Sequence, residues 1–421
     1  MSSKKKILAW SDYVGAGTGF GVVSRYVLKA LHATGDYEIS QLGINYHGEF
    51  FDQNEYPYQV VPAKLKDPRD PYGQQSFLDT VARGDFDYIW IMNDNFVVEK
   101  VGQKLPELLK QMRGAGKKIP FVLYYYPVDC HVLPEASSMI KMADVPVVYT
   151  QYGKVDTLKS IPEIEPSLQV LPHGTDSSLF HRLPEAERAA LKMQLLRVSP
   201  DTFIWLNVNR NSPRKDLPRT IMAFKEFKKK VPNSRLFLHT MRDDVGGKLD
   251  NALRELGLND KTDVIFPDAR YGPHNPLPTN VLNMFYNTAD AFITTTLGEG
   301  WGLTHFDAML QRVPVLVPDN TVFPEQMADG KRGYLYKCED LTWVDSSGYR
   351  PQGLIPEITD KMIQVYRDVL TGENKQILDN AEAYAKSLDW KNIGDMWIQL
   401  FKEATFKDQA TSNLAKMGQV L

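Results

Sequence analysis

Short apolar runs alternate along most of the chain with stretches in which apolar residues recur at helical spacing. An apolar run bounded by turn residues reads as a strand buried on both faces, and the periodic stretch after it as the helix that covers it. Strands are expected at Lys6–Ala9, Tyr88–Met92, Pro120–Tyr125 and Val145–Thr150. A second series follows at Phe203–Val208, Ser234–Leu238, Asp263–Phe266, Ala291–Thr294 and Val315–Val317, with helices at Leu217–Lys230 and Thr279–Asn287. Two series of β-α units predict two parallel sheets, each doubly wound, and hence an α/β chain of two Rossmann-like domains.

The seam is placed at Leu171-Pro-His-Gly-Thr-Asp176, where a strand ends in turn-forming residues, with a linker from Thr175 to Leu183 and an acidic helix from about Pro184. The domains are therefore 1–175 and 176–388, followed by a segment 389–421. Within it Trp390 to Ala404 is amphipathic, with Ile393, Met396, Trp397, Leu400 and Phe401 on one face, and the tail after Phe406 reads as a frayed or surface helix.

A length of 421 residues supports the division, because a single core stops growing well before that size. A formal charge of −3 advertises no polyanionic partner. Cys130 and Cys338 lie far apart, so neither a disulfide framework nor a zinc site is indicated and a reducing, cytoplasmic setting fits best. The opening Met1-Ser-Ser-Lys-Lys-Lys6 runs straight into a strand rather than a signal-peptide core, and no apolar run is long enough to span a bilayer, which leaves at most a peripheral membrane contact.

Three constellations carry candidate chemistry. Gly15-Ala-Gly-Thr-Gly-Phe-Gly21 lies between the first strand and the helix Val22–Leu31, where glycines allow an anion to approach helix N-terminal amides. Its spacing fails the dinucleotide fingerprint, since Phe20 and Val22 stand where glycine is required; the alternative is a turn that only tightens strand-helix packing. Asn207-Val-Asn-Arg-Asn-Ser-Pro-Arg-Lys-Asp216 follows a strand and sets Arg210, Arg214 and Lys215 at the end of an open sheet, where ligands bind and where cations suit a diphosphate. Thr294-Thr-Thr-Leu-Gly-Glu-Gly-Trp-Gly-Leu-Thr-His-Phe-Asp307 ends a strand and opens a helix, with Glu299 bracketed by glycines and Asp307 eight positions on. Amides near Gly302 to Thr304 point at an anion there, and carboxylates accept hydrogen bonds from hydroxyls, a pairing that suits a sugar nucleotide.

The Glu299-Gly-Trp-Gly…Asp307 block resembles the E-x7-E signature of retaining glycosyltransferases of the GT-B fold, family four, the glycogen-synthase-like and mannosyltransferase-like group. Arg210 and Lys215 resemble that family's R-x4-K diphosphate clamp, and Gly19 before Phe20 its N-terminal glycine against the donor phosphates. Val313-Pro-Val-Leu-Val-Pro-Asp319 with Pro324-Glu325 is similar to the segment after the signature. The likeness spans nearly the whole chain and is weakest between Tyr37 and Asp79.

The resemblance implies two domains facing across a cleft, the first for the acceptor and the second for a UDP- or GDP-sugar donor, with the C-terminal helix returning to the first. It implies that Arg210 and Lys215 neutralise the diphosphate, that Glu299 meets the hydroxyls of the transferred hexose, and that Asp307 binds the ribose. Asn209, Gly300, Trp301, Gly302, Leu303 and Thr304 complete the donor contacts. Aspartate replaces the second signature glutamate, which lengthens or water-bridges the ribose contact. Where the family often has a histidine after the fourth strand, this chain reads Tyr126-Pro-Val-Asp-Cys-His131, so Asp129 or His131 fills the place. Retention of configuration without metal or other cofactor is implied, and Asp85-Phe-Asp87 is read as a turn rather than a cation site.

The acceptor stays open as a saccharide, a lipid or a modified DNA base. A viral-type enzyme acting on hydroxymethylated bases is one alternative, for which the lysines Lys225 and Lys228–Lys230 and the loop Lys64–Arg69 could touch phosphates. A non-catalytic nucleotide-sugar-binding protein is the other.

Overall fold

In the computed structural model, residues 4–64, 69–268, 277–345 and 348–406 are described. They form two compact units: one runs to Gly174 and resumes at Trp390, and the other is Thr175–Asp389. Residues 65–68 of the basic loop and the tail beyond Phe406 lie outside the described residues.

Unit one is a seven-stranded sheet of β1 (Lys5–Asp12), β2 (Tyr37–Ile44), β3 (Gln59–Pro62), β4 (Tyr88–Met92), β5 (Phe121–Tyr126), β6 (Val145–Val148) and β7 (Gln169–Val170), in the order β3-β2-β1-β4-β5-β6-β7. All neighbours are parallel. The order reverses between β1 and β4, the kind of place where open sheets bind ligands beyond their carboxyl ends. The strands are buried almost throughout because helices cover both faces. β2 and β3 escape the apolar pattern: β2 carries Ser40 and a fully buried Gln41, and β3 ends in Pro62 at the sheet edge.

The helix Trp390–Phe406 packs within this unit. Gly394 lets it approach the helix Gly19–Ala33, since a Cβ there would lie 2.9 Å from the Ala30 Cβ. Trp390 stacks on Tyr26 at 4.6 Å, and the fully buried Trp397 meets Trp90 and Tyr125 edge-on at 5.9 and 4.8 Å. The buried face is Ile393, Trp397, Leu400, Phe401 and Ala404. Met396, expected among them, is 41% exposed and corrects the predicted face, because the sheet contacts only a narrow stripe of the helix.

Unit two holds a parallel sheet and two hairpins. Its strands are β8 (Phe203–Val208), β9 (Ser234–His239), the hairpin β10 (Asp243–Asp244) and β11 (Gly247–Lys248), then β12 (Val264–Ile265), β13 (Ala291–Ile293), β14 (Val315–Pro318), β15 (Tyr334–Tyr336) and the hairpin β16 (Cys338–Asp345) and β17 (Gly348–Gly353). The sheet runs β12-β9-β8-β13-β14-β15, so the order reverses between β8 and β13. Helices Leu217–Lys230 and Thr279–Asn287 lie where the sequence places them. A buried ion pair, Lys192 to Asp290 at 2.7 Å, fastens the segment after the acidic helix Glu185–Leu191, and Asp290 also accepts from the Ile204 amide at 2.8 Å. Among the described residues no helix is long and apolar enough to cross a membrane. Asp87, of the D-x-D pattern, precedes β4 and is bound by Lys118 at 2.7 Å.

Candidate active site

The carboxyl ends of β8 and β13 are knitted by short polar side chains. Asn207 donates to Thr220 Oγ1 at 3.1 Å, and Asn209 donates both to Asn207 at 2.8 Å and to Thr294, just past β13, at 3.2 Å. Beyond Asn209 the chain turns through the 3-10 segment Pro213–Lys215, and Asp216, with φ of 43°, leads into the helix Leu217–Lys230. Such a φ is costly outside glycine. Hydrogen bonds to the Asp216 carboxylate from Arg219 at 2.9 Å and Gln352 at 2.8 Å hold it.

This turn delivers two cations to one carboxylate. Lys215 Nζ hydrogen-bonds Glu299 Oε1, and Arg214 Nη1 lies 3.2 Å from Glu299 Oε2 while also donating to the Gly298 carbonyl. Glu299 is 7% exposed. Burial alone would raise its pKa, but Lys215 and Arg214 outweigh that and hold it at about 2. The carboxylate is therefore ionised throughout the neutral range, between two cations whose combined charge it only half cancels. Thr321 Oγ1 accepts from the Glu299 amide at 3.1 Å, which fixes the loop from the β14 side.

After Glu299 the chain passes through Gly300 and the buried Trp301, whose carbonyl accepts from Gln326 at 2.9 Å and whose ring stacks on Phe306 at 5.0 Å. Gly302 adopts φ of 85°, and a Cβ there would meet the His305 ring at 2.7 Å, so glycine is required twice over. Helix Leu303–Leu310 starts without a side-chain cap, which leaves its first amides to meet an anion, and Leu303 and Thr304 are half-buried on that face. Asp307 lies one turn on, beside the Tyr286 hydroxyl, which donates to the Thr304 carbonyl at 2.9 Å. Burial, with the charge of Asp176, pushes the Asp307 carboxyl well above the usual range.

Arg210 and Lys215 have different side-chain partners. The guanidinium on Glu299 is that of Arg214, whereas Arg210 makes a two-pronged bond to Asp244 of β10, at 2.8 and 3.1 Å. The cause is Asn211, whose amide group donates to the Gly247 carbonyl at 2.7 Å and whose own carbonyl takes the Gly246 amide at 3.0 Å. That anchors the start of the loop to the β10-β11 hairpin, and the following turn carries Arg214 and Lys215 together. Arg214 was legible as a cation of the loop; no local motif marks Asp244, Tyr286 or Thr321.

In unit one, Gly19 is the exposed first residue of the helix Gly19–Ala33, capped by Thr18, which accepts from the Gly21 amide at 3.1 Å. His131 is 81% exposed at its side chain, and its Nδ1 lies 2.9 Å from the buried Asp156. Asp156 also accepts from the Val132 amide at 2.9 Å, so this pair shapes the loop that carries Asp129. The lysines of the basic helix are largely matched by acids: Lys228 with Asp263, Lys229 with Glu226 and Lys230 with Asp360.

Comparison with known proteins agrees with this geometry. Residues 192–343 match the family model described as glycosyl transferases group 1, and the match contains Arg210, Arg214, Lys215 and Glu299. The alpha-monoglucosyldiacylglycerol synthase of Acholeplasma laidlawii is 25% identical over 193 residues, which is 45% of this chain and 45% of that relative. The chain thus matches under half the length of that relative. Among solved structures, sucrose-phosphate synthase from Thermosynechococcus elongatus superposes with a TM-score of 0.73 at 16% identity, over 96% of this chain and 100% of the other. The Anabaena protein HepE, solved in complex with UDP and glucose, gives 0.68 at 16% identity over 95% and 100%. At such identities the structures speak for the fold. The resemblance read from the sequence holds: the chain has the GT-B fold of glycosyltransferases, and its residues 192–343 match the family model of glycosyl transferases group 1.

Proposed function

We propose that the chain moves a hexose or similar sugar from a uridine or guanosine diphosphate donor to a hydroxyl acceptor, with retention of configuration and without a metal ion. The observation that carries this reading is the buried Glu299 held by both Lys215 and Arg214 at the β8/β13 reversal. Unit two takes the donor. Its diphosphate draws on Lys215, Arg214 and the uncapped amides at Leu303 and Thr304, and Glu299 accepts hydrogen bonds from hydroxyls of the sugar. As the bond from the anomeric carbon to the phosphate oxygen breaks, negative charge grows on the diphosphate, and the two cations stabilise it without reorganising. The proton of the acceptor hydroxyl leaves with the nucleoside diphosphate. Asp307, one turn into the helix Leu303–Leu310, hydrogen-bonds the ribose. That HepE was solved with UDP and glucose favours uridine.

The test is slow hydrolysis of, and transfer from, UDP-glucose and GDP-mannose by the purified protein, with and without EDTA, with the product anomer read by proton NMR. Lys215→Ala and Arg214→Ala are expected to lower the rate at least a hundredfold, on the scale of removing a transition-state charge contact. Arg210→Ala is expected to cost less. Binding of UDP with no turnover in either assay would identify a non-catalytic nucleotide-sugar binder, and an inverted product or loss of activity in EDTA would overturn the mechanism.

A further inference from the structure

The carboxyl ends of β1 and β2, beside the reversal in unit one, carry a group of side chains that the donor chemistry does not use. Asp12, the last residue of β1, is 6% exposed. Its two oxygens accept one hydrogen bond each, from the Thr18 hydroxyl and from the Asn45 side-chain amide at 3.3 Å. A carboxylate has room for about four such bonds, so lone pairs remain. Burial raises its pKa to about 6, with Thr18 and Asn45 opposing. Beneath it Gln41 and Ser24 bond the Ser11 hydroxyl at 3.0 and 2.9 Å, and Gln41 also holds the Asp12 carbonyl at 2.9 Å, so the acid sits on a rigid polar base.

Beside Asp12 stands Tyr13, half-buried, its ring 5.0 Å from that of Tyr46, which in turn lies 5.8 Å from Phe51. Two glycines clear the space for it. A Cβ on Gly43 would come within 2.5 Å of the Tyr13 Cβ, and one on Gly15 would run into the ring itself. The Gly15 backbone thus lies against the ring and that of Gly43 against its Cβ, yet the side chain stays only half-buried. A core tyrosine would be covered. Asn45, with φ of 61°, and Phe50, 96% exposed, flank the same strand ends.

We infer that Asp12, Tyr13 and Asn45 form the subsite for an uncharged saccharide acceptor, the Tyr13 ring lying against the apolar face of a pyranose and Asp12 and Asn45 bonding its hydroxyls. Aromatic rings offer large, rigid, amphipathic contact, and buried polar groups built for hydroxyls reject ligands that lack them. An acyl chain would leave Asp12 unmatched. A phosphorylated sugar would meet the charges of Asp12 and of Glu49 near Tyr13, while the nearby Arg25 spends its Nε on the Val14 carbonyl at 3.0 Å. The inference rests on the glycosyltransferase reading above, whose acceptor it specifies.

Saturation-transfer NMR tests it with a panel of glucose, mannose, galactose, N-acetylglucosamine, maltose and glucose 6-phosphate in the presence of UDP. At least one neutral sugar is expected to receive saturation from the wild type, strongest at the ring protons of one pyranose face, and more than glucose 6-phosphate does. Tyr13→Phe keeps the ring and should keep the signal. Tyr13→Leu and Asp12→Asn should reduce it at least fivefold, with melting curves of each variant confirming a folded unit one. Unaltered sugar signals in both of these variants would overturn the subsite. So would a wild type that binds UDP but no neutral sugar, a result that leaves the donor reading standing; failure to bind UDP at all strikes the donor reading instead.

Discussion

Replacing Glu299 by glutamine separates what this carboxylate does for the fold from what it does for the ligand. A group held at about 2 instead of 4.5 is favoured in its ionised form by about 3 kcal/mol, at about 1.4 kcal/mol for each pH unit. With its side chain only 9% exposed, solvent screening removes little of that. Glutamine keeps the shape and the hydrogen-bonding ability but leaves Lys215 and Arg214 uncompensated, so unit two should lose about 2–3 kcal/mol at pH 7. The sign with pH follows from a folded-state value below the unfolded one. The contribution is complete above about pH 4.5 and is lost as pH falls towards 2, so wild type and variant should converge, the gap being about halved by pH 3. Urea denaturation at several pH values measures it. Binding should move the other way: with the competing anion gone, UDP should bind the Glu299→Gln protein several-fold more tightly by titration calorimetry, even as transfer fails. A stability loss below about 1 kcal/mol at pH 7, a gap that does not change with pH, or weaker UDP binding would each refute the reasoning.

Trp397→Ala should destabilise unit one by about 3–5 kcal/mol, the cost of emptying a fully buried indole site between Trp90 and Tyr125, read as a shift in its urea midpoint. Gly302→Ala forces a side chain into a left-handed φ and onto His305, and should cost about 1–3 kcal/mol and most of the UDP affinity; unchanged melting would show that the loop yields. His173 in unit one and His305 in unit two are buried, and burial pulls both down to about 3. The unfolded chain takes up their protons below about pH 6.5 and the folded chain does not, so each unit should lose up to about 1.4 kcal/mol per pH unit between 6.5 and 3. Scanning calorimetry at pH 7, 6 and 5 tests this, and melting temperatures that do not fall would count against it.

The two sheets were legible because their central strands are unbroken apolar runs: β4 and β8 fall where the pattern puts them. β2 was not, since a strand with Ser40 and a buried Gln41 has no such run, and these side chains find partners in β1, the loop after it and β3. The hairpin β16-β17 was missed for the opposite reason: its large apolar residues Leu341, Trp343 and Tyr349 are exposed and mark no core face. Lys215 and Glu299 were brought together by the resemblance of their two motifs to the family's, and the structure has them hydrogen-bonded. That Arg214 also lies beside Glu299 was not legible, because it follows from the turn Pro213–Lys215 and from Asn211 binding a hairpin thirty-odd residues away in sequence.

The stretch Trp390–Phe406 completes a unit whose remainder ends at Gly174. During synthesis the intervening Thr175–Asp389 emerges as one unbroken piece able to close its own core, while the sheet of Trp90 and Tyr125 waits with an apolar face uncovered until Trp397 and Phe401 arrive. The half made first is thus finished second, and stalled or shortened chains should leave a folded second unit tethered to an aggregation-prone first one.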